Sequence, residues 1–375
     1  MKKILFISQS LGGVANSLNL IISNIDSSKY EITLVAPPNK FLEGRVAKAG
    51  FRYIKLEMKR SVGLHDLLDL YRIFRIMNEQ TYDLIHCHSA KAGVLGRLSA
   101  FLSGKKVIYS PRGWSYLSQD KKWKQKFYCY IEKLMVPFTD LLIVASASEA
   151  ELGLNEVGFS GKKIRIVRNS FFPEEIENVA NSESPFPEKY ILTIGRVVYQ
   201  KNLEQFIDVA EILHQQFPQL KFVIKGTGFK ETFQSELEEK ARQTVSEKGL
   251  DSTVLFFPWG DKSETLNWIK HCELYVHTAR FEALPNVILE AMALGKAVVS
   301  TNAIGNKDAV VDHTTGYLTE LYDRTSMAEK IKELLDNADL KSKFGNDAKQ
   351  YAFLNYNIKV NIRHLEKLYD YLLLI

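Results

Sequence analysis

The feature that most constrains this chain is an alternation of short apolar runs with amphipathic segments, made twice. In the first half, residues 3–8, 30–36, 51–56, 83–88, 106–110, 140–145 and 164–167 are apolar runs of strand length, and 14–25, 64–78 and 91–102 between them carry helical periodicity. Such alternation predicts parallel βαβ units with helices on both faces of a sheet. At 181–188 the sequence Asn-Ser-Glu-Ser-Pro-Phe-Pro-Glu breaks the pattern, and two prolines among small polar residues predict a linker. The alternation restarts with strands at 190–195, 220–226, 253–257, 273–278 and 297–301, and helices at 203–216, 263–270, 286–294, 326–337 and 358–374. A length of 375 residues suits two domains, divided as 1–180 and 189–356. Doubly wound domains bind ligands at the carboxyl ends of their strands.

Charge separates the halves. Residues 1–180 hold 26 Lys and Arg against 17 Asp and Glu, whereas 181–375 hold 23 against 27. A basic first half points to an anionic partner, although a fluctuation between domains would look the same. The three cysteines, Cys87, Cys129 and Cys272, form no Cys-x-x-Cys pair, which argues against a disulfide or zinc framework and for a reducing cytoplasm. No apolar run reaches the roughly 18 residues that span a bilayer.

The chemistry concentrates in 280–300. Pro285 and Asn286 suit a helix start and Gly295 a helix end, so Glu282 falls in the loop after a strand and Glu290 about one turn inside the helix. The free amides of that helix start, at Asn286 and Val287, suit a phosphate. Without further context, the two glutamates also fit a loop charge and a solvated helix position. Upstream, Gly195-Arg196 and Lys201 follow a strand, and Gly226-Thr227-Gly228 follows the next. Two fixed cations beside helix-start amides stabilise the negative charge that develops on a departing diphosphate.

Together these segments resemble glycosyltransferase family 4. Glu282 and Glu290 fall on its Glu-x7-Glu motif, Arg196 and Lys201 on the two cations of its Gly-Arg-x5-Lys segment, and Gly226 and Gly228 on its Gly-x-Gly turn. The resemblance runs from Lys3 to the last helix. It implies the GT-B fold, two facing Rossmann-like domains with a cleft between them, and lets 357–375 cross back onto the first domain. It also implies a retaining, front-face transfer from a nucleoside diphosphate sugar, UDP-linked by family precedent, to a saccharide or polyprenyl-linked acceptor in polysaccharide biosynthesis. Glu290 would bind the ribose, Glu282 the donor sugar near the reacting carbon, and Arg196 and Lys201 the diphosphate. No metal or other cofactor is expected, since no Asp-x-Asp pair occurs.

In the first domain, Gly12-Gly13 resembles the family's glycine loop against the diphosphate, with Gly13 at the close approach. Of His86 and His88, we expect the strand to aim one to each face, His88 to the ligand and His86 to the core. At Arg112 many relatives carry a histidine that contacts the donor sugar; arginine there suits a carboxylated sugar or an anionic acceptor. Phe257-Pro258-Trp259-Gly260 stands where relatives pack against the base, or is a core edge.

One segment fits a membrane interface. In 120–130, Trp123, Phe127 and Tyr130 share a helical stripe among Lys121, Lys122, Lys124 and Lys126. The alternative is an aromatic stripe packed on the core. The first reading places the protein at the inner face of the cell membrane. Nucleic acid fits poorly, with no binding motif and an acidic second half. An epimerase of the same fold and a non-catalytic nucleotide-sugar sensor remain as rivals. A dehydrogenase lacks its Gly-x-Gly-x-x-Gly fingerprint.

Overall fold

The computed structural model describes residues 1–9, 12–59, 61–119, 121–228 and 232–374, without the side chains of Gly12 and 232–234. Leu11 of the glycine loop and Asp120 of the lysine-rich segment lie outside these residues. The chain divides into two compact units, Met1–Ser170 with Ile358–Ile375, and Phe171–Asn357.

The first unit is built on seven strands, β1 (Lys2–Ser8), β2 (Tyr30–Ala36), β3 (Arg52–Lys55), β4 (Leu84–His88), β5 (Val107–Ser110), β6 (Leu141–Val144) and β7 (Ile164–Ile166). They run parallel in the order β3-β2-β1-β4-β5-β6-β7. The second has β8 (Tyr190–Ile194), β9 (Lys221–Thr227), β10 (Val254–Pro258), β11 (Leu274–His277), β12 (Val298–Thr301) and β13 (Gly316–Thr319), parallel in the order β10-β9-β8-β11-β12-β13. β4 and β8 are buried along their whole length, as expected of strands covered on both faces. In each sheet the order reverses beside the first strand, between β1 and β4 and between β8 and β11. Chain connections leave to opposite faces at such a point and open a crevice beyond the strand ends.

All twelve expected strands are present. The thirteenth, β13, was not expected: it is four residues long at a sheet edge and buries one large side chain, Tyr317, too little to print a pattern. The proline-containing stretch 181–188, expected as a linker, lies inside the second unit. Ser182 Oγ donates to Asn267 Oδ1 at 2.6 Å, and Lys270 Nζ donates to the Ser182 carbonyl at 2.9 Å. The chain passes between units at Ser170 and Asn357 instead.

The last helix, Ile358–Leu374, buries Ile358, Ile362, Leu365, Tyr369 and Leu372 in the first unit. Its Asp370 accepts from Lys2 Nζ at 2.7 Å. The Lys122–Leu134 helix is turned the other way. Trp123, Phe127, Tyr130 and Leu134 are 64%, 48%, 58% and 53% exposed, so the aromatic stripe does not pack on the core. What the helix buries is a charge. Glu132 accepts from fully buried Arg97 at 2.8 Å and from the Tyr109 hydroxyl at 2.7 Å, with the guanidinium 3.8 Å above the Tyr109 ring. Among the described residues no helix is long and apolar enough to cross a membrane.

Candidate functional site

In the second unit, β8 and β11 are neighbours at the switch point, so the loops leaving their ends are brought together. The Arg280 amide donates to the Gln200 carbonyl at 2.8 Å, Gln200 Nε2 to the Phe281 carbonyl at 2.8 Å, and Thr278 Oγ1 to the Lys201 carbonyl at 3.0 Å. Arg280 clamps the same loop, bonding the Tyr199 carbonyl with its guanidinium 4.2 Å over the Tyr199 ring. Segments some eighty residues apart thus form one rigid rim carrying Arg196, Lys201 and Glu282.

Lys201 Nζ donates to Glu282 Oε1 at 2.5 Å, with the Glu282 side chain 15% exposed. Burial raises the Glu282 carboxyl, but the opposing Lys201 ammonium outweighs it and holds it at about 2. Glu282 is therefore a carboxylate throughout the neutral range. His277 ends β11, fully buried, with Nε2 3.6 Å from Glu282 Oε1, beyond hydrogen-bond reach. Burial lowers its pKa and keeps the ring neutral. His277 Nε2 has no hydrogen-bond partner among the described residues.

Glu290 lies within the Asn286–Ala293 helix with its side chain 5% exposed, and accepts from Lys262 Nζ. It is a buried, paired carboxylate, not a solvated helix position. Asn286 opens the helix after Pro285, its Oδ1 buried without a partner among the described residues, and Val287 follows half-buried. Arg196 is half-buried and makes no hydrogen bond or ion pair among the described residues.

Two glycines let backbones touch around this rim. A Cβ on Gly226 would stand 2.4 Å from the Gly195 carbonyl oxygen, and one on Gly305 would stand 2.4 Å from that of Glu282. The Gly228 amide donates to Glu238 at 3.0 Å. Trp259, 47% exposed, borders Gly226. Lys262 and His277 were not singled out from the sequence. Neither belongs to a spaced motif, and each meets its glutamate only through the fold.

In the first unit, Gly13 lies in the first turn of the Gly12–Asn24 helix rather than in a loop, and a Cβ there would meet nothing within 4 Å among the described residues. His86 and His88 were expected on opposite faces, but their ring centroids are 4.0 Å apart. Residues two apart on a strand point the same way, and that rule decides it. His86 is held by the Tyr369 hydroxyl at 2.7 Å and Ser110 Oγ at 2.9 Å. His88 is fully buried beneath Arg112, with Nδ1 3.5 Å from Arg112 Nη2. Burial, with the neighbouring Arg112 charge, holds both rings well below the ordinary histidine pKa. Arg112 Nη1 donates to Asn169 Oδ1 at 3.2 Å. Lys121, Lys122 and Lys126 are exposed beside Trp123 and Phe127, and Lys124 is half-buried.

Comparison with known proteins agrees with this architecture. The family model for the glycosyl transferase 4-like domain matches residues 12–170, and that for glycosyl transferases group 1 matches 174–351. An Escherichia coli UDP-Gal:alpha-D-GlcNAc-diphosphoundecaprenol alpha-1,3-galactosyltransferase is 25% identical, over 92% of this chain and 90% of its own length. A Campylobacter jejuni N,N'-diacetylbacillosaminyl-diphospho-undecaprenol alpha-1,3-N-acetylgalactosaminyltransferase is 22% identical, over 97% of each chain. The Anabaena protein HepE, solved with UDP and glucose, superposes with a TM-score of 0.81 at 18% identity, covering 99% of this chain and 100% of the other. With glycosyltransferase domains matched in both halves and a GT-B arrangement of two parallel sheets, the chain belongs to the group 1 and 4-like glycosyltransferases.

Proposed function

We propose that this glycosyltransferase moves a sugar, with retention of anomeric configuration, from a nucleoside diphosphate sugar to a lipid-linked saccharide. The observation that carries the reading is the rim of the second unit. Lys201 and Glu282 meet at the switch point, Glu290 is buried against Lys262, and Arg196 has no carboxylate beside it among the described residues. As the glycosidic bond to the diphosphate breaks, charge grows on the leaving phosphate oxygen. Arg196 is fully available to take it, and Lys201 shares itself between that oxygen and Glu282. Glu282, ionised throughout, offsets positive charge at the reacting carbon. Glu290 accepts from two ribose hydroxyls, with the first amides of its helix and Asn286 beside it. Side-chain cations thereby do the work of a metal ion.

The Escherichia coli relative supports UDP as the carrier, since its name carries UDP-Gal, and both relatives support a diphospho-undecaprenol saccharide as the acceptor class, since those words stand in their names. A lipid-linked acceptor suits the bare aromatic stripe of Lys122–Leu134 and its lysines, which we read as a contact with the anionic inner face of the cell membrane. The test is transfer from an α-linked UDP-sugar panel to a lipid-linked acceptor in EDTA, with the product anomer read by NMR. An α-linked product formed at full rate in EDTA is expected. A β-linked product, or activity that vanishes in EDTA and returns with manganese, refutes the reading.

A further inference from the structure

Arg112 and its neighbours form a second charged feature, in the first unit alone, which the transfer chemistry above does not use. Arg112 follows β5, one strand from the β1/β4 switch point, with its backbone at φ 57°, in the left-handed region that a long side chain such as arginine rarely adopts. Ser89, directly after β4, is also left-handed at φ 74°. Backbone strain of this kind clusters at ligand-binding and active sites.

The polar accounting points the same way. A guanidinium carries five N–H donors. Arg112 spends one on Asn169 Oδ1 and one toward His88 Nδ1, both neutral, and Nε is buried without a partner. His88 Nε2 and Ser89 Oγ are likewise buried without hydrogen-bond partners among the described residues, in side chains more than nine-tenths buried. Among the described residues no carboxylate forms an ion pair with Arg112. The nearby Glu149 gives Oε1 to the Gly113 amide at 2.8 Å and Oε2 to the Ala145 amide at 2.7 Å. Burial pulls the Arg112 pKa down, and Glu149 offsets this only in part. A half-buried cation with spare donors and no carboxylate paired to it is costly, and a ligand anion relieves the cost.

We propose that Arg112, braced by Asn169 and His88, receives a small oxyanion carried by a substrate, the carboxylate of an acidic sugar or a phosphate. The assignment of that anion to a substrate rests on the sugar-transfer reading; the anion site itself rests on the first unit only.

The experiment measures thermal stability in sodium phosphate, sodium glucuronate and sodium chloride at matched ionic strength. It uses an Arg196→Ala/Lys201→Ala background, so that the second unit's cations contribute nothing. The variant is Arg112→Asn, which removes the charge but tolerates the left-handed backbone. Phosphate or glucuronate is expected to raise the melting temperature by a few degrees over chloride with Arg112 present, and not with Arg112→Asn. A response to glucuronate alone assigns an acidic sugar, and one to phosphate alone a phosphorylated group. In chloride, Arg112→Asn is expected to melt no lower than its parent, since an uncompensated charge has gone. Equal responses with and without Arg112, no response to either anion, or a marked loss of stability in chloride would overturn the proposal. Because no transfer is measured, failure here leaves the transfer reading standing.

Discussion

The two units treat buried charge in opposite ways. In the second, the carboxylates of the rim each meet a lysine, Glu282 with Lys201 and Glu290 with Lys262. In the first, one charge pair, Arg97 with Glu132, is sealed away as structure, while Arg112 hydrogen-bonds only neutral groups among the described residues and the Lys122–Leu134 helix turns its aromatics outward. The second unit pairs both rim carboxylates with its own lysines and keeps Arg196 open for a ligand, whereas the first unit leaves a half-buried cation without a paired carboxylate and an aromatic stripe uncovered among the described residues.

The largest expected effect concerns the sealed pair. Glu132→Gln leaves Arg97 buried without a counter-charge and should cost about 3–5 kcal/mol in urea unfolding, whereas Arg97→Met with Glu132→Leu should restore most of it. A loss under 1 kcal/mol for Glu132→Gln would mean that the pair does not fix the helix. Next comes Arg196→Ala. It should lower kcat/KM by about 2–4 kcal/mol, roughly 30- to 1000-fold, with unfolding changed by less than about 0.5 kcal/mol because the side chain holds no partner. A large stability change would make it structural.

Glu290→Gln should weaken donor binding by about 1.5–3 kcal/mol, read by calorimetry. Glu282→Gln should leave donor affinity nearer normal and depress turnover instead; wild-type turnover would remove its role. The same variant has a pH signature. With its carboxyl held at about 2 in the fold against an ordinary 4.5, Glu282 stabilises the protein above pH 4.5, and that stability is lost as pH falls from there towards 2. The stability gap between wild type and Glu282→Gln should therefore be constant at neutral pH and close through this acid window. Smallest per residue are Lys121, Lys122, Lys124 and Lys126, each contributing about 1 kcal/mol of attraction to anionic vesicles. Flotation should fall with salt and drop when all four become glutamine, and equal flotation on neutral lipid would refute the contact.

Strands such as Tyr190–Ile194 were legible because a parallel strand covered on both faces is apolar throughout, a local property. The Ala338–Asn355 helix was not, because it buries Phe344, Gly345, Ala348 and Ala352, mostly small residues that leave a faint stripe. Periodicity revealed the stripe at Trp123 but not the direction it faces, which a charge pair from another helix decides. Glu282 and Glu290 could be picked out by their spacing within one segment. Lys262 and His277 could not, since they come from other elements, and Arg112's lack of a paired carboxylate is visible only once its neighbours are placed.

The central claim is that the second unit holds a nucleoside diphosphate through Arg196, Lys201 and Glu290 with no metal. Titrating UDP into the protein in excess EDTA tests it most directly, with Arg196→Ala and Glu290→Gln alongside. The wild type is expected to bind UDP with an affinity that EDTA leaves unchanged and that weakens at least tenfold in each variant, about 1.4 kcal/mol. Binding that requires added divalent metal, or that both variants retain at full strength, would contradict it.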